Sequence, residues 1–355
     1  MNGRLTVGMV SAVVLGVSMT AQQPAHLNPM VDLLIAKRAI FGLGVPTAGR
    51  PGGPGNRPAA PGATPATPPV APPTPTAPPV PPKTPAELAA DAIAHPEADY
   101  FFTAMMEGNI DAGSMTMTTL QEAIAAAGPL STSGPKRLRM PVNSKAPNIS
   151  SPDMPADPAK YVTNISRQLN VGVSTFSFVE VDNAEELRQG IAAMRFKSNG
   201  GVRPDDVGNA PRYWGISEAE YRKRADVWPL NPQGDLVVMA IIETKEGLAN
   251  VREIAQVKGL SVLAPGAGTL GRVFSTTVTE NGQPRRVRDD VAWEAAIQQV
   301  LAACKEFKLS CAYPVSEADI ETRMKQGFNV GILQSFNDAA FRAVAKGRQL
   351  SGRDK

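Results

Sequence analysis

The sequence is poor in histidine, cysteine and net charge, and each shortage excludes a class of protein. Only two histidines, His26 and His95, occur in 355 residues, which excludes a histidine-rich metal site. Two cysteines, Cys304 and Cys311, cannot staple a chain of this length, and their positions suit two thiols as well as one bridge. The 36 basic residues nearly balance the 33 acidic ones, and a net charge of +3 is too small for a nucleic-acid-binding surface. We therefore predict no nucleic-acid partner.

Long hydrophobic runs are also scarce, and the one near the start is typical of a secretion signal. Arg4 precedes the uncharged segment Leu5–Met19, and small and polar residues follow it. The alternative is a membrane anchor, but 15 residues fall short of the roughly 20 that a spanning helix needs. We predict a signal peptide over residues 1–21 and an exported protein, periplasmic or secreted, that is free of the membrane after cleavage.

Proline is abundant in one segment of the chain. Residues 46–85 contain 16 of the 33 prolines, no aromatic residue and three charges. Such a composition cannot bury enough apolar surface to offset chain ordering, so we predict a disordered spacer. The alternative is a proline-rich ligand for a partner module. An apolar strand-like segment precedes it and a helix-like segment follows, which indicates an insert within a domain.

The rest of the chain alternates short apolar runs with amphipathic helical patterns, which favours a parallel α/β sheet. Eight such repeats predict a (β/α)8 TIM barrel over residues 28–352, with the proline-rich insert after its first strand. The alternative is an open doubly wound sheet, which needs no eighth repeat. The predicted strands are 39–45, 99–106, 136–142, 173–181, 236–244, 260–265, 310–315 and 329–335.

Acidic residues end several predicted strands, where barrel enzymes place their active sites. Glu107 ends the second strand, Arg139 lies on the third, and Glu180 and Glu243 end the fourth and fifth. Each carboxylate alone could be an ordinary rim charge. Together they predict a divalent cation and an anionic substrate, because oxygen ligands suit Mg²⁺ or Mn²⁺ and arginine binds carboxylates in bidentate fashion.

A glycine-rich segment, residues 266–271, follows the sixth strand and formally matches G-x-G-x-x-G. We reject a dinucleotide site, because residues 272–279 are β-branched and extended rather than helical. We predict instead a turn whose backbone N–H groups bind a small carboxylate. The alternative is a tight turn that only requires glycine for its conformation.

Residues 240–263 resemble the HpcH/HpaI aldolase and citrate lyase family of pyruvate-type barrels. The resemblance rests on Ala240–Thr244, Gly247–Ala255 and Gly259–Leu263, with weaker matches from 170 to 350. It implies a metal-dependent carbon–carbon lyase of the aldolase type, in which Mg²⁺ or Mn²⁺ assists cleavage of a 2-oxo acid. It also implies a homo-oligomer, for which the apolar stripe of the last helix, around Phe341, is the candidate surface.

The resemblance assigns roles to individual residues. It implies a metal ligand at Glu243, an oxyanion-stabilising arginine at Arg139, and carboxylate binding by Gly266, Gly268 and Thr269. The family's catalytic histidine has no counterpart after Glu107, and Thr269 replaces a metal-binding aspartate. Two hypotheses follow: a divergent lyase in which Glu180 supplies the second metal ligand and Glu107 the base, or a catalytically silent binder of small oxo or hydroxy acids.

Overall fold

The computed structural model describes residues 26–48, 81–128, 137–146, 157–280 and 282–353, so the predicted signal peptide and most of the proline-rich segment lie outside the described residues. Eight parallel strands form a closed barrel in the order β1-β10-β9-β6-β5-β4-β3-β2. This confirms the predicted TIM barrel. The barrel strands are β1 Ile40–Gly44, β2 Tyr100–Thr103, β3 Val142–Ala146, β4 Val173–Phe178, β5 Val237–Ile242, β6 Val262–Pro265, β9 Ser310–Pro314 and β10 Val330–Ile332. Strands β7 Ser275–Glu280 and β8 Gln283–Arg288 pair with each other in a separate antiparallel sheet.

Helices follow the barrel strands and cover their outer surface. Side-chain caps begin many of them, as at Thr84, Asn183 and Asp289, each of which accepts a hydrogen bond from the first helical turn. The α-helices are α1 Pro29–Ile35, α2 Pro85–Ile93, α3 Met105–Gly108, α4 Ile110–Ala126, α5 Pro158–Asn170, α6 Ala184–Met194, α7 Ala210–Trp214, α8 Glu218–Arg224, α9 Lys245–Ala249, α10 Val251–Ile254, α11 Ala267–Val273, α12 Asp290–Phe307, α13 Ile320–Gln326 and α14 Asp338–Leu350.

Alternation along each strand separates the barrel interior from the layer beneath the helices. On β5, Val237, Met239 and Ile241 belong to the inner cluster, whereas the residues between them pack outward in the larger core. Because this period continues past the strand end, the next inward position is Glu243. The same rule places Gly266 inward after β6.

The amino-terminal end of the barrel is closed by α1. Met30, Val31 and Leu34 of this helix pack into the inner cluster. Asn28 caps the helix and donates its side-chain amide to the carbonyls of Ser174 (3.3 Å) and Asp235 (3.0 Å). A ligand therefore has to approach from the carboxyl ends of the strands, which we call the mouth.

The structure bears on two points about the outer helices that the sequence left as expectations. The predicted interface stripe on the last helix is partly used by the barrel itself, since Ala340 and Val344 are buried in its core. The cysteines, left open between thiols and a bridge, form a disulfide between α12 and β9. No helix among the described residues is long and apolar enough to cross a membrane.

Candidate active site

Glu243 is the central acidic residue of the mouth. It follows β5 at an inward position and is only 6% exposed. Its Oε1 accepts a hydrogen bond from the backbone N–H of Glu180 at 3.3 Å. The predicted neighbours Glu180 and Glu243 are therefore brought together, although the contact made to Glu243 is a backbone amide of Glu180.

Gly266 packs directly against Glu243. Its N–H donates to the carbonyl of Ile242 at 2.8 Å, which holds the ends of β5 and β6 side by side. A Cβ atom at this position would lie 2.3 Å from the Cβ of Glu243 and 2.6 Å from its Oε2. The glycine is thus required by the close approach of the glutamate, because its φ of −75° is open to any residue. Gly268 has no such neighbour within 4 Å.

Glu180 has an unusual backbone conformation. Its φ of +51° lies in the left-handed region, which costs a non-glycine residue about 1–2 kcal/mol. This conformation directs the Glu180 N–H at Glu243, while Val181 returns to the outer core. Non-glycine residues in this region concentrate at functional sites. Two residues further on, the Asp182 carboxylate accepts a hydrogen bond from Thr244, beside Glu243.

The glycine-rich segment after β6 differs from the prediction. Residues 267–273 form a helix, α11, where we expected a turn followed by extended chain. The first-turn N–H groups of Ala267, Gly268 and Thr269 therefore have no acceptor within the helix, as at any helix start. Unpaired backbone N–H groups at a helix start can bind an anion. The carboxylate-binding role of this segment stays a prediction, and it now concerns a helix start rather than a turn. Thr269 Oγ1 accepts a hydrogen bond from Arg272 at 2.9 Å.

Arg139 does not lie at the mouth. The predicted third strand, 136–142, is wrong in its bounds, because β3 begins at Val142, three residues after Arg139. Arg139 instead donates to the carbonyls of Ile124 (2.6 Å) and Ala125 (3.1 Å) at the end of α4, on the amino-terminal side of the barrel. Burial lowers the pKa of its guanidinium. In this structure the arginine caps a helix and does not face Glu243.

The shift of β3 brings a different cation to the mouth. Lys145 lies near the carboxyl end of β3, and its Nζ is 3.1 Å from Oε1 of Glu107 on α3. Both side chains are partly exposed, 23% for Lys145 and 28% for Glu107. Glu107 is thus at the mouth, as predicted. Sequence analysis missed Lys145. Once the bounds of β3 are known, strand alternation turns Lys145 to the same side as the buried Asn143, which indicates a lysine that points into the barrel.

The acidic residues of the mouth can be compared with the ligands that a divalent cation requires. The described residues contain no group of three or more His, Cys, Asp or Glu side chains arranged to hold a metal. Thr269 supplies no anionic oxygen. Mg²⁺ however is commonly held by one or two carboxylates, with water and substrate completing its ligands. The Glu243 carboxylate at the mouth suits an open site of that kind. That Glu180 supplies a second oxygen stays a prediction, because its contact with Glu243 is made by its backbone N–H.

Comparison with known proteins identifies the family. Residues 155–330 match the HpcH/HpaI aldolase/citrate lyase family. This confirms the resemblance drawn from residues 240–263, and the chain belongs to this family. It is also 30% identical over 141 residues to the 4-hydroxy-2-oxo-heptane-1,7-dioate aldolase of Klebsiella pneumoniae, covering 40% of this chain and 49% of that protein. The chain thus spans about half the length of the curated relatives it matches.

Solved structures agree on the fold. A HpcH/HpaI aldolase/citrate lyase family protein from Burkholderia cenocepacia is 16% identical and superimposes with a TM-score of 0.56, over 92% of this chain and all of that one. A HpcH/HpaI aldolase from Desulfitobacterium hafniense is 14% identical with a TM-score of 0.52, over 90% of this chain and 95% of that one. At such identities the likeness establishes the barrel alone.

Proposed function

We propose that this protein is a carbon–carbon lyase of the aldolase type that acts on a 2-oxo acid or a hydroxy-oxo acid. The observation that carries the proposal is the contact of Glu243 with Gly266 and with the Glu180 amide, at the mouth of a barrel of this family. The curated relatives are named as aldolases of 4-hydroxy-2-oxo-heptane-1,7-dioate, which supports this substrate class.

Each element at the mouth has a part in this chemistry. The first-turn N–H groups of α11 bind the carboxylate next to the oxo group. Glu243 and Glu180 would hold the divalent cation proposed below, since their carboxylates cannot themselves bind the oxygens of an anionic substrate. Glu107 is the candidate base, because its carboxylate lies at the mouth and the family's histidine has no counterpart. In the cleavage direction Glu107 takes the proton of the 4-hydroxyl group, and the bond between C3 and C4 breaks to release an aldehyde. The electron pair of that bond stays on C3 as an enolate, and protonation of C3 gives pyruvate.

We further propose a divalent cation, Mg²⁺ or Mn²⁺, at Glu243 and Glu180. When bound, such an ion supplies Lewis-acid polarisation of a carbonyl oxygen. Electron paramagnetic resonance measures Mn²⁺ binding and so tests this site. We expect Glu243→Gln to abolish Mn²⁺ binding and Glu180→Gln to weaken it, while Arg139→Ala leaves it unchanged. Mn²⁺ binding by Glu180→Gln as tight as that of the parent would remove Glu180 as a ligand.

The lyase proposal can be tested without knowing the natural aldehyde. An enzyme that forms a pyruvate enolate exchanges the methyl protons of pyruvate with solvent, which proton NMR in D₂O measures directly. We expect exchange with Mg²⁺ or Mn²⁺ present, and about a 100-fold slower rate for Glu243→Gln. A second candidate function is a silent binder of small oxo acids, favoured by the missing histidine. Pyruvate binding without any exchange would establish the binder and refute the lyase.

Export and self-assembly are further proposals. The disulfide between Cys304 and Cys311 supports an oxidising compartment, because such bonds persist mainly outside the cytosol. Identification of the mature amino terminus in periplasmic and culture fractions tests export. We also propose a homo-oligomer, and a monomeric mass in solution by light scattering would contradict it.

A further inference from the structure

We propose that Asn143 and Lys145 form a subsite on β3 that binds a carbonyl or carboxylate oxygen of the ligand. Only β4 separates this strand from β5, which precedes Glu243. The inference rests on the proposed function for the ligand class, a 2-oxo acid. It assigns to Lys145 the charge that the family resemblance places on Arg139.

The two side chains point into the barrel. Their neighbours on β3 point outward, since Val142 and Ala146 pack in the outer core and Ser144 donates to Gln168 of α5 at 2.6 Å. Strand alternation therefore turns Asn143 and Lys145 inward, one above the other. An inner contact agrees, because Asn143 Oδ1 accepts a hydrogen bond from Ser177 of β4 at 2.8 Å.

Asn143 has a donor to offer. Its side chain is fully buried, and its Nδ2 has no hydrogen-bond partner among the described residues. A buried amide donor left unpaired is destabilising, so such groups are ordinarily satisfied. The oxygen of a bound ligand would satisfy it. In this orientation of the amide, Oδ1 accepts from Ser177 and Nδ2 is the end left to donate.

Lys145 provides the charge at the rim of the same subsite. Its ion pair with Glu107 is partly exposed, so it contributes little to stability and can be exchanged for another carboxylate. A lysine ammonium has three donors on a flexible stem, which allows it to turn from Glu107 toward a ligand. Release of Lys145 would leave the Glu107 carboxylate unpaired, in the state that a base requires.

Pyruvate binding, measured by isothermal titration calorimetry, separates the two candidate cations. We expect Lys145→Met to weaken binding about 10-fold or more, since a charged hydrogen bond is lost. Lys145→Arg should retain binding within about threefold, and Asn143→Ala should weaken it. Arg139→Met is the matched control, because it removes a cation at the opposite end of the barrel. Unchanged binding by Lys145→Met, or a loss confined to Arg139→Met, would overturn the subsite.

Two further measurements keep the test decisive. If urea denaturation shows that Lys145→Met does not fold, Glu107→Gln replaces it in the test. Pyruvate should bind to Glu107→Gln at least as tightly as to the parent, because a carboxylate that competes for Lys145 is gone. Weaker binding would refute the subsite. Failure of the parent to bind pyruvate also refutes it. Pyruvate binding that depends on Lys145, without methyl exchange, would support the subsite while refuting the lyase.

Discussion

The two ends of the barrel use polar residues in opposite ways. At the amino-terminal end, the fully buried Asp235 lies 3.2 Å from His26 Nδ1, accepts the Asn28 N–H at 3.2 Å and pairs with Arg224 at 3.1 Å. Toward the mouth, the Nδ2 donor of Asn143 has no partner among the described residues, and Glu180 holds a left-handed backbone. The paired groups at the amino-terminal end stabilise the fold, whereas the buried donor and the strained backbone belong to the end at which we propose that a ligand binds.

The largest expected effect comes from breaking the amino-terminal network. Asp235→Ala leaves His26 and Arg224 without their buried carboxylate, so we expect the free energy of unfolding to fall by about 3–5 kcal/mol. Urea denaturation measures the loss. Asp205→Ala is the control, because its pair with Arg222 is exposed at 3.9 Å and should contribute about 0–1 kcal/mol. Equal losses in the two variants would contradict the contrast.

The mouth should respond in activity more than in stability. Gly266→Ala places a methyl group against Glu243, and displacing that carboxylate by a fraction of an ångström should slow pyruvate methyl exchange about 100-fold. Gly271→Ala, in α11, is the matched control, because a Cβ there would come no closer than 3.4 Å to a neighbour and no change is expected. Similar exchange rates in both variants would show that the position of Glu243 is unimportant.

The disulfide belongs to the stabilising end, since it joins the end of α12 to the start of β9. Seven positions separate Cys304 from Cys311, and closing so short a loop is worth about 2–3 kcal/mol. We expect the double variant Cys304→Ala/Cys311→Ala to lose this amount in urea denaturation, with methyl exchange unchanged. Dithiothreitol should destabilise the parent equally and leave the variant unaffected; a parent indifferent to the reductant would contradict the estimate.

The smallest expected effect on stability concerns Glu180, whose backbone strain and carboxylate can be tested separately. Glu180→Gly removes a left-handed glutamate, so the free energy of unfolding should rise by about 1 kcal/mol. The same change removes a carboxylate from the mouth and should slow methyl exchange about 10-fold. Lys308→Gly relieves a similar φ of +57° at the end of α12 and should stabilise without affecting exchange. Unchanged or faster exchange by Glu180→Gly would show that the Glu180 carboxylate has no role in the proposed reaction.

The sequence by itself determined the barrel, the family and part of the mouth. Period-two apolar runs are local signals, so all eight predicted strands overlap their observed counterparts, the third only at Val142. The Glu243 motif was equally local, because its strand and helix adjoin in the chain.

Only the tertiary structure decided which cation lies at the mouth. The predicted strand begins at residue 136, whereas β3 begins at Val142, so Arg139 lies before the strand and Lys145 lies within it. Because alternate residues of a strand point to opposite faces, Lys145 points inward. The contact between His26 and Asp235 joins residues 209 positions apart, and no local pattern encodes it. The backbone of Glu180 is likewise held in place by Glu243 on the neighbouring strand. Such features arise from packing between distant segments, which the sequence of either segment alone does not specify.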